Sequence, residues 1–170
     1  MNFRDYLKEN SQQYKIFLDL DGVCVNLGKA IKVFGLGSFE EIDAKGIQDE
    51  LWKRIREAGS DFWRDCPWMK DGQELWKYVK KYNPSILTAT PHSGKEECEK
   101  GKREWVKREM GQSVNCIVTV AKLKQQYASP NCILIDDMQK NIDQWKSAGG
   151  IGILHKNTKE TIERLKALGL

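Results

Sequence analysis

The segment Lys15-Ile16-Phe17-Leu18-Asp19-Leu20-Asp21-Gly22-Val23 is the strongest structural signal in the chain. Its apolar residues, Ile16 to Leu18, have the length of a buried strand, and two carboxylates and a glycine follow them. Side chains two residues apart in an extended segment point the same way, so Asp19 and Asp21 are expected to face one pocket. Carboxylates this close repel each other unless a cation lies beside them or one is protonated. A β-turn is the alternative, because Asp and Gly are common turn residues.

Two further predicted strands end in polar residues. Cys132-Ile133-Leu134-Ile135 is an apolar run that leads directly into Asp136 and Asp137, and Ser85-Ile86-Leu87 leads into Thr88 and Thr90. In a parallel sheet, ligands bind at the carboxyl ends of the strands, where all these side chains fall. Oxygen ligands of this kind suit a hard cation such as Mg²⁺.

The alternation of strands and helices predicts an α/β fold, with a Rossmann-like parallel sheet covered by helices on both faces. The chain has 170 residues, the size of one domain, so we expect a single catalytic domain over 1–170. Residues 24–72 interrupt the alternation with helical patterns over 23–34 and 40–58, the second ending at Gly59. This block predicts a small helical cap inserted after the first strand. Residues 1–14 indicate a short amphipathic helix or an ordered tail.

Composition narrows the class of protein. No apolar run approaches the roughly 20 residues that a membrane-spanning helix needs, and the first residues do not form a secretory signal. Five scattered cysteines without a Cys-x-x-Cys pair favour reduced thiols and a cytoplasmic protein, not disulfides or zinc. The net charge of +4 favours anionic substrates but is too small to indicate nucleic-acid binding by itself.

An aromatic cluster lies within Asp61-Phe62-Trp63-Arg64-Asp65-Cys66-Pro67-Trp68-Met69. Such rings either fill the core of a small cap or form a platform on which a flat ring stacks. The charged helix predicted over 96–110 has the composition of a solvated face. His92 and His155 have no partner at a metal-ligand spacing, so both are interpreted as loop residues.

The motifs and their order resemble those of the haloacid dehalogenase (HAD) superfamily of phosphotransferases. The matching features are Asp19-Leu20-Asp21-Gly22-Val23, Thr88 at the end of an apolar strand, a lysine, and Asp136-Asp137. The resemblance implies that Asp19 is a nucleophile that forms an aspartyl-phosphate and that Asp21 is the general acid and base. It further implies that Mg²⁺ is held by Asp19, the backbone carbonyl of Asp21, Asp136 and Asp137.

The same resemblance assigns a phosphate-binding role to the Thr88 hydroxyl, helped by backbone N–H groups near Ala89 and Gly22. It also places a lysine before the Asp136-Asp137 strand, where Lys122 and Lys124 both lie. Lys124 is preferred, because Gln125-Gln126-Tyr127-Ala128 then leads towards the next strand as in nucleotidase relatives.

Within that superfamily the chain is most similar to the 5'(3')-deoxyribonucleotidases. The similarity rests on the small helical cap, on Phe62-Trp63 followed by Pro67-Trp68, and on Leu134-Ile135-Asp136-Asp137 followed by Asn141 and Trp145. It implies a Mg²⁺-dependent phosphomonoesterase for deoxynucleoside monophosphates, with substrate contacts from Phe62, Trp63, Trp68, Ala89 and Thr90. The sequence departs from the vertebrate pattern in being shorter and in reading Thr88-Ala89-Thr90-Pro91 where those relatives place adjacent hydroxyls.

Two alternatives to this function stay open at the level of sequence. The first is a phosphatase for another ester, either a polynucleotide 3'-phosphate or a small metabolite. The second is a binding module that keeps the fold without catalysis, although every motif position is filled here. Partners of the chain are therefore expected to be small phosphoesters, with a polynucleotide as the weaker possibility and no membrane.

Overall fold

A computed structural model describes residues 14–170. Over this range, the fold is built on a sheet of five parallel strands. The helix or tail expected over residues 1–14 lies outside the described residues except for Tyr14. The spatial order is β3-β2-β1-β4-β5, with strands β1 (Lys15–Leu18), β2 (Ser85–Ala89), β3 (Cys116–Thr119), β4 (Cys132–Asp136) and β5 (Ile151–Leu154). The strand carrying Asp19 at its tip is therefore the central one.

Helices occupy most of the chain between these strands. In chain order the α-helices are α1 (Leu27–Ala30), α2 (Phe39–Lys45), α3 (Gln48–Arg64), α4 (Gly72–Val79), α5 (Lys95–Glu109), α6 (Gln139–Ser147) and α7 (Thr158–Ala167). Three 3₁₀ segments cover Ile31–Phe34, Lys80–Tyr82 and Ala121–Tyr127. Every strand after β2 follows a helical crossover, which is how parallel neighbours are connected.

The alternating side chains of β1 separate two hydrophobic layers. Ile16 and Leu18 point to the larger cluster, which contains the helices of the insertion, and Phe17 points to a smaller cluster with Leu134 and Trp145. Strands buried on both faces read as continuous apolar runs, which is why β1, β2 and β4 could be recognised from sequence. The predicted Rossmann-like α/β fold is confirmed.

The segment after β1 differs from the prediction of one helix over 23–34. The N–H groups of Val23, Cys24 and Val25 all donate to the carbonyl of Leu20, at 2.8 to 3.1 Å. This tight loop delays the first helix until Leu27, and the chain then continues as a 3₁₀ segment. Gly22 opens the loop with a φ of 75°, a conformation that glycine adopts without strain.

The second predicted helix also ends differently. Gly59 interrupts α3, as expected, with a φ of 64° and a ψ of −149°, but helical structure resumes and continues to Arg64. Phe62 and Trp63 therefore lie on the resumed part of a helix. The prediction that the helix ends at Gly59 was wrong, because a single left-handed residue kinks the chain without ending the helix.

The helical insertion lies against the core helix α5. At their closest approach, a Cβ on Gly101 would overlap the carbonyl oxygen of Ser60, so only glycine fits there. The indole of Trp105 also donates a hydrogen bond of 2.8 Å to the carbonyl of Cys66. The assignment of residues 24–72 as a cap stays a prediction.

The state of the cysteines and the character of the helices can be read from the structure. All five cysteines are free thiols, and burial raises the pKa of Cys66 to about 12, which disfavours a thiolate. Over residues 14–170, no helix combines the length and the apolar character required to cross a bilayer.

Candidate active site

Three carboxylates gather at the carboxyl ends of β1 and β4. The two strands pair in register, with Leu18 opposite Ile135, and the N–H of Asp19 extends the ladder by donating to the Ile135 carbonyl at 3.0 Å. This pairing places Asp19 beside Asp136. Oxygen atoms of Asp19, Asp136 and Asp137 all lie within 4.8 Å of one another.

Lys124 joins the two strand ends. Its Nζ lies 2.9 Å from Asp19 Oδ1 and 2.7 Å from Asp136 Oδ2, and its side chain is only 2% exposed. Burial acts to lower the pKa of Lys124, but the two neighbouring carboxylates outweigh burial and raise that pKa overall. Lys122, the other candidate, is exposed on the same 3₁₀ segment and does not reach the carboxylates. The structure therefore brings Lys124, and not Lys122, into the site.

Asp136 is held rigidly from helix α6. The Asn141 amide donates to both carboxylate oxygens at 3.0 Å, and the N–H of Met138 donates to Oδ1 at 2.9 Å. Because both oxygens accept hydrogen bonds and one also meets Lys124, the carboxylate has a single defined orientation. Asn141 was noted in the sequence only as part of the nucleotidase resemblance, without a role.

The local environment disfavours negative charge on two of the acids. Burial, followed by the Asp19 carboxylate, raises the pKa of Asp136. Burial, Asp19 and Asp136 together raise the pKa of Asp137 to about 7. Gly22 leaves room for the Asp137 carboxylate, because a Cβ at that position would overlap it. A second reason for glycine here is therefore the close approach of Asp137.

The residues at this edge fit a divalent cation. When all four are ionised, Asp19, Asp21, Asp136 and Asp137 carry two more negative charges than the two lysines paired with them, Lys102 and Lys124, can neutralise. Asp19 Oδ1 is buried and, although it lies near Lys124, lacks an aligned hydrogen bond. Carboxylate oxygens that converge on one point, with one of them buried and without an aligned donor, are ligands that suit a hard cation.

We predict that the stabilising effect of magnesium depends on pH through Asp137. Its pKa rises from 3.8 to about 7 on folding, so the native state binds the proton more tightly and the cation-free protein loses stability as pH rises between these values. A bound cation needs the deprotonated carboxylate and relieves its repulsion. The magnesium-induced increase in melting temperature should therefore be larger at about pH 8 than at about pH 5. Equal increases at both pH values, or an unchanged pH dependence in Asp137→Asn, would contradict this assignment.

A second buried lysine, Lys102, enters the site from helix α5. Its Nζ donates to Asp21 Oδ2 at 2.6 Å, to the Ala89 carbonyl at 2.7 Å and to Thr88 Oγ1 at 3.0 Å. It also lies 5.2 Å from the centre of the Trp63 ring. Burial acts to lower the pKa of Lys102, but Asp21 and the other nearby groups raise it overall.

The sequence interpretation missed Lys102 by treating the charges of this helix as a solvated face. The buried residues of α5 are Cys98, Gly101, Lys102, Trp105 and Val106, which follow the helical spacing of one face. Lys102 therefore falls on the stripe that an amphipathic helix buries. That spacing is the sequence signal from which the burial of Lys102 could have been predicted.

The predicted phosphate-binding groups differ in whether they face the pocket beside Asp19. Thr88 is fully buried, and its hydroxyl oxygen accepts the hydrogen bond from Lys102. The N–H of Gly22 itself donates to the Val25 carbonyl at 2.9 Å, and the phosphate-binding role of the backbone N–H groups near Ala89 and Gly22 stays a prediction. Ala89 lines the pocket beside Asp19, whereas Thr90 points to a neighbouring cleft and its N–H donates to Thr119.

The predicted aromatic platform is part of the core. Phe62 and Trp63 are 8% and 5% exposed, and Phe62 stacks on Phe34 at 5.6 Å between ring centres. Trp68 packs on Trp105 and donates to Glu109. None of Phe62, Trp63 and Trp68 lines the pocket, and the burial of Phe62 and Trp63 favours the core-packing alternative for this cluster. The resumed helix after Gly59 turns the rings of Phe62 and Trp63 inwards.

The pocket above the carboxylates has a volume of about 540 Å³. Its floor contains Asp19, Asp21, Lys124 and Asp137. Its outer wall is largely apolar and comes mainly from the insertion and from the start of α6; the apolar side chains are Val25, Leu27, Phe39, Met69 and Met138. Phe39 is the one aromatic ring on this wall among the described residues.

The two histidines lie in loops, as predicted. His92 is exposed after β2. His155 follows β5 and is buried, where Nδ1 meets Thr161 Oγ1 at 2.8 Å, and burial lowers its pKa. Neither ring belongs to the carboxylate cluster.

Solved structures with the same fold include several HAD hydrolases. A HAD family hydrolase from Deinococcus radiodurans R1, with bound phosphate and sodium, is 12% identical; the match covers 94% of this chain and 98% of that chain, with a TM-score of 0.56. A HAD-superfamily hydrolase from Ehrlichia chaffeensis is 12% identical over 92% and 97% of the two chains, with a TM-score of 0.51. A HAD family enzyme from Bacteroides thetaiotaomicron, in a magnesium complex, is 16% identical over 90% and 99%, with a TM-score of 0.50.

The strand order and these similarities define the chain as a protein with the HAD-hydrolase fold. No protein-family model matches the sequence, and no curated protein matches it. At identities this low the similarity establishes the fold, so the activity of this chain has to be argued from its own residues.

Proposed function

We propose that the protein is a magnesium-dependent phosphomonoesterase that uses Asp19 as its nucleophile. The observation that carries this proposal is the arrangement at the pocket floor, where the buried lysine Lys124 bridges Asp19 and Asp136 and the carboxylate of Asp137 lies close to both acids. A nucleophilic carboxylate needs a fixed position and a neighbouring positive charge to meet a phosphate dianion. When bound, Mg²⁺ would supply further positive charge opposite the transferring group.

The chemistry follows in two displacements. An Asp19 carboxylate oxygen attacks phosphorus, and the bond from phosphorus to the ester oxygen breaks as that oxygen takes a proton from Asp21. Asp21 then accepts a proton from water as the water oxygen attacks phosphorus and the Asp19 to phosphorus bond breaks. Lys124 holds Asp19 through both steps, because its ammonium is fixed from the other side by Asp136.

Lys102 acts in this proposal by positioning Asp21. Its ammonium binds Asp21 Oδ2 and is itself anchored by the Ala89 carbonyl and Thr88. The other oxygen, Asp21 Oδ1, is buried and has no hydrogen-bond partner among residues 14–170, so it is available to carry the transferred proton. Lys102 therefore fixes one oxygen of the general acid and leaves the other for catalysis.

The apolar wall supports a flat leaving group. Phe39 is half-buried at the pocket, and Met69 and Met138 flank the same space. An aromatic ring together with polarisable methionines accommodates a planar base. Deoxynucleoside monophosphates are therefore the proposed substrates, and Phe39 takes the stacking role that the sequence had assigned to Phe62, Trp63 and Trp68.

To test this function, phosphate release is measured in the presence of magnesium. The substrates are 5' and 3' nucleoside monophosphates, each as the deoxyribonucleotide and the ribonucleotide, together with an aryl phosphate. We expect selective release from deoxynucleotides. Phe39→Ala should raise KM for nucleotides by about tenfold, since loss of one stacked base costs ~1–3 kcal/mol, and should change the aryl phosphate less. Turnover of the aryl phosphate alone would retain the chemistry and reject the nucleotide substrate.

A further inference from the structure

A second cleft, with a volume of about 570 Å³, adjoins the catalytic pocket. It lies between the loop after β2, the start of the 3₁₀ segment after β3 and the first turns of α6. Ala121 and Asn141 line both the cleft and the pocket, so the two spaces are direct neighbours. A molecule whose reacting phosphate lies at Asp19 can therefore extend into this cleft.

The walls of the cleft are basic. They contain Lys95, Lys122 and Lys140, one from each of three separate chain segments, together with the exposed ring of His92. No carboxylate is among the described residues that line it. Glu96 and Glu97, in the first turn of α5, are exposed but are not lining residues.

The positive charges of the three cleft lysines are not neutralised by neighbouring carboxylates in the described part of the chain. Arg54 and Arg103 each pair with a glutamate one helical turn away, at 2.8 and 2.7 Å. In contrast, Lys95, Lys122 and Lys140 form no ion pair with any residue between 14 and 170. Three unpaired cations around a concave surface create a local positive potential, which concentrates anions.

We propose that this cleft binds a second phosphate group of the substrate. The preferred substrates are then phosphomonoesters whose leaving group itself carries a phosphate, either a nucleoside bisphosphate or the phosphorylated end of an oligonucleotide. Lysine ammonium groups bind phosphate as flexible point charges and do not require one fixed geometry, which suits both ligands. This inference rests on the proposed phosphomonoesterase and names its substrate class.

Binding to Asp19→Asn, with magnesium present, tests the cleft independently of turnover. The ligands are thymidine 5'-monophosphate, thymidine 3',5'-bisphosphate and a 3'-phosphorylated thymidine dinucleotide, measured by calorimetry. We expect the bisphosphate or the dinucleotide to bind about tenfold more tightly than the monophosphate, equivalent to ~1.4 kcal/mol. That advantage should shrink when salt is raised from about 0.05 to about 0.2 M.

A charge-matched pair of variants locates the effect. Lys95→Gln/Lys122→Gln/Lys140→Gln should remove the advantage of the second phosphate. Lys156→Gln/Lys159→Gln/Lys166→Gln changes three exposed lysines outside the cleft and should retain it. Because both triple variants lose the same net charge, only the location of the charge differs.

The outcomes separate the cleft from the catalytic proposal. Equal affinity for all three ligands, or an equal loss in both triple variants, would overturn the second-phosphate site. A preference for bisphosphate or dinucleotide in a protein whose wild type releases no phosphate from any ester would support the site and reject the phosphomonoesterase. Tighter binding of the dinucleotide than the bisphosphate would identify a strand end as the ligand source, and the reverse order a free bisphosphate.

Discussion

Asp19→Asn is expected to lower phosphate release by at least about 10³-fold, because an amide oxygen does not displace an ester oxygen at phosphorus. The side chain keeps its size, so its place beside Lys124 is retained. The measurement is steady-state phosphate release with saturating magnesium from the best substrate of the panel. Activity above a few per cent of wild type would show that Asp19 is not the nucleophile.

Stability distinguishes this loss from unfolding. Asp19 repels Asp136 and Asp137, and it contributes to the raised pKa of both. Removing its charge relieves that repulsion, so cation-free Asp19→Asn should melt no lower than the cation-free wild type. The effect of magnesium on the melting temperature should decrease, since one carboxylate of the cluster is lost. A lower melting temperature without magnesium would indicate structural damage.

Lys102→Met is expected to lower kcat by about 10²-fold, the cost of misplacing a catalytic group by about an ångström. The substitution removes the one ammonium that fixes Asp21 Oδ2, while the long apolar side chain still fills the space beside Trp63. An alkyl phosphoester needs a proton on its leaving oxygen, whereas an aryl phosphate needs it far less. The loss should therefore be larger for a nucleotide than for an aryl phosphate. Equal losses for both esters would indicate a purely structural role.

Two controls accompany the Lys102 variant. Lys107→Met changes an exposed lysine of the same helix and should retain wild-type activity. In a double-mutant cycle, Lys102→Met added to Asp21→Asn should cause little further loss, because residues that act as one unit are non-additive. A full additive loss would mean that Lys102 acts independently of Asp21. If Lys102→Met does not fold, Lys102→Gln, which retains a hydrogen-bond donor, gives the same comparison.

The helices show where local sequence predicts structure and where it does not. The helix Lys95–Glu109 matches its predicted range of 96–110 to within one residue, because apolar spacing and flanking glycines mark it. The insertion deviates: the loop after Asp21 folds back onto the carbonyl of Leu20, and α3 continues past Gly59. Both deviations depend on backbone hydrogen bonds and packing that periodicity does not record.

The aromatic cluster shows that local sequence is also insufficient to assign substrate-binding residues. Core packing and substrate stacking require the same residue types, so composition leaves the choice open for Phe62, Trp63 and Trp68. For Phe62 and Trp63, the choice between core packing and substrate stacking depends on which side of the kinked helix faces α5. Phe39, in contrast, sits in the first turn of a capped helix, and only the docking of that helix brings it to the pocket.

The sequence by itself determined the α/β sheet and the meeting of Asp19, Asp136 and Asp137, because side chains at the ends of neighbouring parallel strands must share one edge. The family resemblance already favoured Lys124 over Lys122, but only the tertiary structure showed that Lys102 joins them as well. Lys102 and Lys124 lie within runs of basic residues that look solvated in sequence, and each reaches the carboxylates only because its helix packs against the sheet. A long charged side chain becomes part of a site through the position of its backbone, which long-range packing sets and local sequence does not.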